Sequence, residues 1–189
     1  DGNPQIGAGH IMRCISIAET LKDRGKVIIF LTADEESASL IASRGFATLT
    51  LHTKWDQMED ELATLLPILE EKKVRNIIID SYQVTPAYMD AVRKHANIIY
   101  LDDMGLEAYP VDVLINYNIY AKEIPYEELY HSKNLPLPRL MLGGEFVPLR
   151  SEFSTLEGKV RRIVRDVLIT TAGGDLYNRE DEIWHAFEA

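Results

Sequence analysis

The sequence is short of cysteine, of positive charge and of long apolar runs, and each shortage excludes a class of protein. Cys14 is the only cysteine among 189 residues, so no intrachain disulfide can form, which suits a reducing compartment. A net charge of -10 argues against general nucleic-acid binding, which needs a basic surface. No apolar run approaches the roughly 20 residues of a membrane-spanning helix, and residues 1–5 lack a signal-peptide pattern. We therefore expect a cytoplasmic protein without a membrane span.

Two kinds of catalytic motif are also absent from the sequence. His52, His95, His131 and His185 do not have the spacing of metal ligands, so we expect no metal site. No Gly-x-Ser-x-Gly motif is present, which argues against a serine hydrolase of the α/β-hydrolase type. Nothing in the sequence calls for a bound cofactor.

Short apolar runs rich in β-branched residues alternate with longer amphipathic stretches. The apolar runs predict strands at residues 27–31, 76–79, 98–101, 113–115 and 167–169. Their unbroken apolar character is typical of strands buried on both faces. The stretches between predict helices at residues 11–24, 37–44, 57–72, 86–95 and 126–131. This alternation predicts an α/β fold with a Rossmann-like, doubly wound parallel sheet.

The pattern changes in the last quarter of the chain. Residues 154–165 are polar and charged, and a new strand, a glycine turn and a helix are expected after them. We place a domain boundary near Gly158, with a Rossmann-like domain over 1–157 and a linker and the first strand–helix unit of a second α/β domain over 158–189. The chain starts without Met and stops inside an expected helix. We therefore expect the second domain to be truncated and the chain to be inactive alone.

The strongest local signal is Gly7-Ala8-Gly9-His10 at the start of the first predicted helix. Glycines let a backbone turn tightly and approach a ligand, and a helix N-terminus offers free N–H groups to a phosphate or hydroxyl. A histidine there could accept a proton as a general base. A plain glycine turn capped by His10 explains the same residues, and the motif alone favours that reading slightly.

Polar residues follow the predicted strands directly. Asp80, Ser81 and Tyr82 follow one strand, Asp102 and Asp103 the next, and Asn116 and Asn118 the one after. Ligands of open α/β sheets bind at the carboxyl ends of the strands, so these residues could share one crevice. Each of them alone is better explained as a turn former or helix cap, whereas the whole set favours a site.

Together the motifs resemble the UDP-sugar hydrolases of pseudaminic acid biosynthesis and related proteins of spore-coat polysaccharide biosynthesis. The likeness begins in Asp1-Gly2-Asn3 and Ile6-Gly7-Ala8-Gly9-His10-Ile11-Met12-Arg13. It continues in Ile79-Asp80-Ser81-Tyr82, Leu101-Asp102-Asp103, Asn116-Tyr117-Asn118-Ile119-Tyr120-Ala121, Gly144-Glu145-Phe146-Val147-Pro148-Leu149-Arg150 and Gly173-Gly174-Asp175. The order and spacing of six motifs make the resemblance specific, although no single motif would.

The resemblance implies a two-domain fold like that of the GT-B glycosyltransferases, with most of the nucleotide site in the second domain. It implies hydrolysis of a UDP-linked diacetamido-trideoxy sugar to free sugar and UDP, through anomeric C–O cleavage with inversion and without metal. It makes His10 the base for water and gives Tyr82 a supporting catalytic role. The expected substrate-binding residues are Gly7, Gly9, Arg13, Asp80, Asn116, Asn118, Gly173, Gly174 and Asp175.

Two other functions remain open at this point. A GT-B glycosyltransferase would use the same nucleotide sugar and transfer it to an acceptor. A non-catalytic protein that binds a sugar nucleotide would share the fold, but the presence of His10 argues against it.

Overall fold

The structure is a computed structural model that describes residues 8–153 continuously and, beyond them, residues 155, 158, 160–165, 167–168 and 183–186. The strands are β1 (Ile29–Thr32), β2 (Ala47–Thr50), β3 (Asn76–Ile79), β4 (Asn97–Leu101), β5 (Val113–Asn116) and β6 (Arg139–Leu142). Within residues 8–153 the helices are α1 (Gly9–Asp23), α2 (Glu35–Ser43), α3 (Met58–Glu71), α4 (Pro86–Val92) and α5 (Tyr126–Ser132). Short 3₁₀ turns cover Ala121–Glu123, Gly144–Phe146 and Ser151–Phe153.

The predicted α/β fold with parallel strands is confirmed. β3, β4, β5 and β6 form a parallel sheet in that order, and β1 pairs with β2, also in parallel. The described strands fall into these two hydrogen-bonded groups. The sequence analysis also missed β2 and β6. Each has four residues, and neither has a fully buried residue, so their apolar signal is weak.

Local sequence explains where the helices begin and end. The side chain of Asp34 accepts a hydrogen bond from the Ser37 backbone N–H and so caps α2. Thr85 caps α4 in the same way, and Pro86 occupies the first turn, where its missing N–H does no harm. α1 and α2 are followed by Gly25 and Gly45, whose positive φ angles of 70° and 78° suit glycine after a helix.

The main core lies between the four-stranded sheet and the helices α3, α4 and α5. Met89, Val92, Ile98 and Leu114 are fully buried in it. Full burial of such a side chain stabilises the fold by about 1.5–3 kcal/mol. A smaller cluster joins the apolar face of α1 to α2; its buried members are Ile11, Ile15, Ala18, Ile41 and Phe46. This smaller cluster holds the helix that carries His10 against α2 and β1.

The strand expected at residues 167–169 does not appear in the part of the chain that is described. Val167 and Leu168 are exposed and lie in no strand, whereas Ile169 lies outside the described residues. A strand needs a hydrogen-bonded neighbour, and neither of these two residues pairs with any of the described strands. The second domain stays a prediction. Among the described helices, none is both long and apolar enough to cross a membrane.

A buried carboxyl group in α3 leads to a stability prediction. Glu61 accepts a hydrogen bond from the Tyr88 hydroxyl, and burial raises the pKa of this carboxyl. A raised pKa means that the fold favours the neutral form, so stability is lost as the pH rises through the folded pKa. We expect Glu61→Gln to raise the Tm at pH 8 by about 2–4 °C, roughly 1 kcal/mol. The gain should shrink below about pH 4; calorimetry at both pH values tests this, and an equal gain at both would contradict it.

Candidate active site

One face of α1 points toward the end of β3. His10, Arg13 and Cys14 are three and four residues apart, a spacing that puts side chains on one helix face. All three contact Asp80, the residue directly after β3. Burial raises the pKa of the Cys14 thiol, which therefore stays protonated. The contact joins the first turn of α1 to the carboxyl edge of the sheet, where ligands of open α/β folds bind.

Asp80 and Arg13 form a buried ion pair. Their side chains are only 3% and 13% exposed. Arg13 Nε donates to Asp80 Oδ2 at 2.5 Å and Arg13 Nη2 donates to Oδ1, which is a bidentate arrangement. Burial alone would raise the pKa of Asp80, but the hydrogen bonds and charges of Arg13 and His10 outweigh burial and lower it. Asp80 is therefore an ionised carboxylate at neutral pH.

The ionised carboxylate decides which nitrogen of His10 carries the proton. His10 Nδ1 lies 2.5 Å from Asp80 Oδ1, and a carboxylate can only accept hydrogen bonds. Nδ1 is therefore the protonated nitrogen, and the lone pair of the neutral imidazole sits on Nε2. Arg13 Nη2 is 3.0 Å from the same Nδ1, but a protonated Nδ1 cannot accept a hydrogen bond from it. Asp80 thus orients the ring and leaves Nε2 able to take a proton.

A second carboxylate, Asp103, links Arg13 to Tyr82. Arg13 Nη1 donates to Asp103 Oδ2 at 2.6 Å, and the Tyr82 hydroxyl donates to the same oxygen at 2.7 Å. Burial, helped by the hydrogen bond to Asp103, raises the pKa of Tyr82 to about 12, so the side chain stays a phenol. Its ring meets His10 edge-on with 4.7 Å between centroids and is 52% exposed. Tyr82 therefore presents part of its ring to solvent beside His10.

The structure gives Arg13 a bridging position. Besides its bonds to Asp80 and Asp103, Arg13 Nη1 donates to the Tyr117 hydroxyl at 2.5 Å. Burial opposes the charge of Arg13, but Asp80 and Asp103 outweigh burial and raise its pKa. Four of its five N–H groups thus donate to protein oxygens. Arg13 orders the neighbouring side chains, and its expected direct contact with substrate stays a prediction.

A buried group of polar side chains lies next to Asp103 in the fold, and Asn118 Nδ2 donates to the Asp103 backbone oxygen at 3.3 Å. Asn116 is fully buried, donates from Nδ2 to the Tyr126 hydroxyl at 2.9 Å, and accepts from Asn118 Nδ2 at 2.9 Å. The Tyr126 hydroxyl donates to Asp102 Oδ2 at 2.9 Å. Asp102 therefore points into the protein, whereas its neighbour Asp103 points to Arg13, as expected for adjacent residues. The expected substrate contacts of Asn116 and Asn118 stay predictions, although only Asn118 is partly exposed.

The glycine signals are only partly described by the structure. Gly7, Gly173, Gly174 and Asp175 lie outside the described residues. Gly9 is the first residue of α1, and a Cβ atom added there would meet nothing within 4 Å. Among the described residues, none occupies the space beside Gly9, next to His10.

Two residues of the candidate active site, Asp103 and Tyr117, are not among the expected catalytic or substrate-binding residues. The sequence placed Asp103 in the set of polar residues that follow the strands, and Tyr117 occurs only inside one of the family-like motifs. The signal for both was their position after β4 and β5, at the edge that also carries Asp80. The structure brings His10, Arg13, Asp80, Tyr82, Asp103 and Tyr117 together.

Comparison with known proteins finds distant relatives. No family model matches the chain. The chain is 25% identical over 179 residues to UDP-2,4-diacetamido-2,4,6-trideoxy-beta-L-altropyranose hydrolase of Campylobacter jejuni, a match that covers 94% of this chain and 60% of that protein. It is 22% identical over 187 residues to an uncharacterised protein of Methanocaldococcus jannaschii, covering 94% of this chain and 36% of the relative. These matches support a distant relationship to a nucleotide-sugar enzyme family.

Proposed function

We propose that the protein hydrolyses a UDP-linked diacetamido-trideoxy sugar to the free sugar and UDP, with His10 as the general base. The observation that carries the proposal is the contact between His10 Nδ1 and the ionised Asp80. It supplies an oriented imidazole with a free Nε2 at the edge of the sheet where α/β folds bind ligands. The distant similarity to a UDP-sugar hydrolase supports the choice of substrate class.

The reaction needs one base and one displacement at carbon. His10 Nε2 accepts a proton from water while the water oxygen bonds to the anomeric carbon. The bond between that carbon and the glycosidic oxygen breaks, and its electron pair leaves with the β-phosphate of UDP. A single displacement on the opposite face inverts the anomeric centre. Positive charge that develops on the imidazole is stabilised by the Asp80 carboxylate at 2.5 Å.

Tyr82 and Asp103 have supporting roles in this proposal. The half-exposed ring of Tyr82 packs against one side of His10 and offers an amphipathic surface to a sugar. Asp103 accepts hydrogen bonds from the Tyr82 hydroxyl and from Arg13 Nη1. These bonds fix the positions of Tyr82 and Arg13 relative to Asp80. Asp80 and Arg13 are positioning residues, because they act through His10.

Hydrolysis of the UDP-sugar by the full-length protein in ¹⁸O-water tests the proposal. We expect ¹⁸O in the released sugar and none in UDP, because water attacks carbon. Proton NMR at early times should show the inverted anomer. Label in the UDP phosphate would mean P–O cleavage and would remove the assigned role of His10. Release of UDP only when an acceptor is present, with the sugar bonded to that acceptor, would favour a glycosyltransferase.

We also expect activity without a metal ion. The two carboxylates nearest His10, Asp80 and Asp103, both pair with Arg13, which offsets part of their negative charge and occupies oxygens that a metal ion would need. The N–H groups at the start of α1 could bind phosphate oxygens in place of a cation. Turnover of the full-length protein should therefore change less than about twofold after dialysis against EDTA. Such a change is small beside the factor of about 10²–10⁴ that a general base contributes to the rate. Loss of activity with EDTA and recovery with Mg²⁺ would contradict this.

A further inference from the structure

Two pairs of consecutive residues lie where the neighbouring strands β4 and β5 end. They are Asp102 with Asp103, directly after β4, and Asn116 with Tyr117, at the end of β5. The first member of each pair is buried, whereas the second contacts Arg13. Each strand end therefore presents one residue to the interior and one to the candidate active site.

A single nitrogen of Arg13 joins the two strand ends on the outer side. Nη1 donates to Asp103 Oδ2 at 2.6 Å and to the Tyr117 hydroxyl at 2.5 Å. Both acceptors must stay within reach of this one nitrogen, since N–H···O hydrogen bonds have lengths of about 2.7–3.2 Å and weaken beyond them. The distance between the two strand ends therefore decides whether Arg13 keeps both partners.

A single hydroxyl joins the same two strand ends on the inner side. Tyr126, the first residue of α5, donates from its hydroxyl to Asp102 Oδ2 and accepts from Asn116 Nδ2, both at 2.9 Å. All three side chains are buried, and a hydrogen bond in the interior is electrostatically stronger than one in water. The Tyr126 hydroxyl is therefore a firm bridge between the ends of β4 and β5.

The carboxylate that Tyr126 contacts also shapes the backbone around Asp103. Its other oxygen, Asp102 Oδ1, accepts hydrogen bonds from the backbone N–H groups of Met104 and Gly105 at 2.9 and 3.0 Å. An aspartate that bonds to the backbone two residues ahead closes a turn, and Asp103 lies inside this turn. A movement of the Asp102 side chain would therefore move Asp103 with it.

We propose that Tyr126 is a positioning residue of the candidate active site: its buried hydroxyl sets the distance between the ends of β4 and β5 and so holds both partners of Arg13 Nη1 in place. The opposite edge of the same guanidinium bonds to Asp80, which orients His10. A change at Tyr126 therefore reaches the imidazole through Arg13 and without contact with the substrate. Its effect on catalysis rests on the proposed function, whereas its effect on Arg13 does not.

Helix α5 offers a matched control in Tyr130, one helical turn after Tyr126. Both tyrosines are fully buried, and each hydroxyl donates one hydrogen bond and accepts one. Tyr130 makes its two bonds with the backbone of Tyr109, outside the two strand ends that meet at Arg13. Tyr126→Phe and Tyr130→Phe remove the same atom, so we expect similar decreases in Tm, about 2–4 °C.

NMR of the Arg13 guanidinium in the full-length protein tests the inference without an activity assay. Rotation about the Cζ–Nη bonds averages the protons of a free guanidinium, whereas a nitrogen held by two acceptors gives separate proton signals. We expect separate Nη1 signals for Arg13, assigned by through-bond correlation along its side chain. Tyr126→Phe should merge these two signals, and Tyr130→Phe should leave them separate.

Steady-state kinetics on the UDP-sugar add a catalytic readout. Tyr126→Phe should lower kcat by about tenfold or more, since a misplacement of about 1 Å can cost about a hundredfold in rate. KM should change less than kcat, because no group that contacts the substrate is removed. Tyr130→Phe should leave kcat unchanged.

A second variant weakens the same bridge from its other end. Asp102→Asn keeps the shape of the side chain and the acceptor for the turn, but it places an N–H donor opposite the Tyr126 hydroxyl, whose proton then lacks an acceptor. We expect a lower kcat and merged Arg13 Nη1 signals here too. Because both substitutions act on one bridge, the double variant should be about as slow as the slower single variant.

Several results would overturn the inference. Separate Arg13 Nη1 signals in Tyr126→Phe would do so whatever its kcat. Equal losses of kcat in Tyr126→Phe and Tyr130→Phe would show general loosening of α5 in place of positioning. Losses that multiply in the double variant would show two independent effects.

Two further outcomes are covered by the same measurements. If Tyr126→Phe does not fold, Asp102→Asn decides by its Arg13 signals and its kcat, and native values of both would overturn the inference. If the full-length protein hydrolyses no UDP-sugar, the proposed function fails, and the Arg13 signals alone then decide whether Tyr126 positions the guanidinium.

Discussion

Replacing His10 with Gln should lower kcat of the full-length protein by about 10²–10⁴, the usual contribution of a general base. The expected loss follows from the single proton that Nε2 accepts in the displacement, since Gln has no basic nitrogen to take it. KM should change little, because the proposed role begins when water attacks and not when the substrate binds. Steady-state kinetics on the UDP-sugar measure both constants.

The control for this variant is His131→Gln, an exposed histidine on α5 away from the site. It should have normal kinetics. Thermal unfolding should show both variants folded at the assay temperature, with a lower Tm only for His10→Gln, because its part-buried side chain loses a hydrogen bond to the ionised Asp80, worth about 1.5–3 kcal/mol. Normal turnover of the His10 variant would contradict the proposed mechanism. The only role left for His10 would then be a structural one beside the glycine turn.

Replacing Asp80 with Ala should cause the largest loss of stability, about 3–5 kcal/mol. The change leaves the buried guanidinium of Arg13 without its bidentate partner, with Asp103 as the remaining carboxylate. Asp80→Asn should fold better but still lose activity, because its amide can donate to His10 Nδ1 and move the imidazole proton to Nε2. We expect kcat of Asp80→Asn to fall about 10²–10⁴, with denaturant unfolding and kinetics as the measurements.

The matched control is Asp90→Asn, which breaks an exposed ion pair with Lys94 one helical turn away. Such pairs stabilise a protein by about 0.3–0.5 kcal/mol. The larger loss of unfolding free energy that we expect on substitution of Asp80 is therefore due to its burial. The folded pKa of Asp80 is lowered, so its stabilisation is present above the unfolded pKa of about 3.9 and is lost as the pH falls through the folded pKa. Equal effects of the two substitutions at pH 7 would contradict a buried Arg13–Asp80 pair.

Regular elements with a strong local pattern were predictable. The strand at residues 76–79 has the predicted bounds, and the helix expected at 126–131 extends only one residue further. Residues 76–79 are a compact apolar run, which favours a strand. Residues 126–131 have a helical period, which favours a helix. β2 and β6 were missed because a half-exposed strand of four residues has little local signal, and its pairing with a distant strand decides its existence.

The sequence by itself determined the parallel α/β fold and the edge of the sheet where the polar residues gather, because alternating periods and the residues that end strands are local properties. Only the tertiary structure decided which of those residues meet. His10 and Asp80 are 70 residues apart, and their contact depends on how α1 packs across the end of β3. The same packing made Arg13 a bridge between two carboxylates, whereas the contact of β5 with Tyr126 of α5 placed Asn116 in the interior. Strand order and helix packing depend on long-range contacts, which no local pattern in the chain encodes.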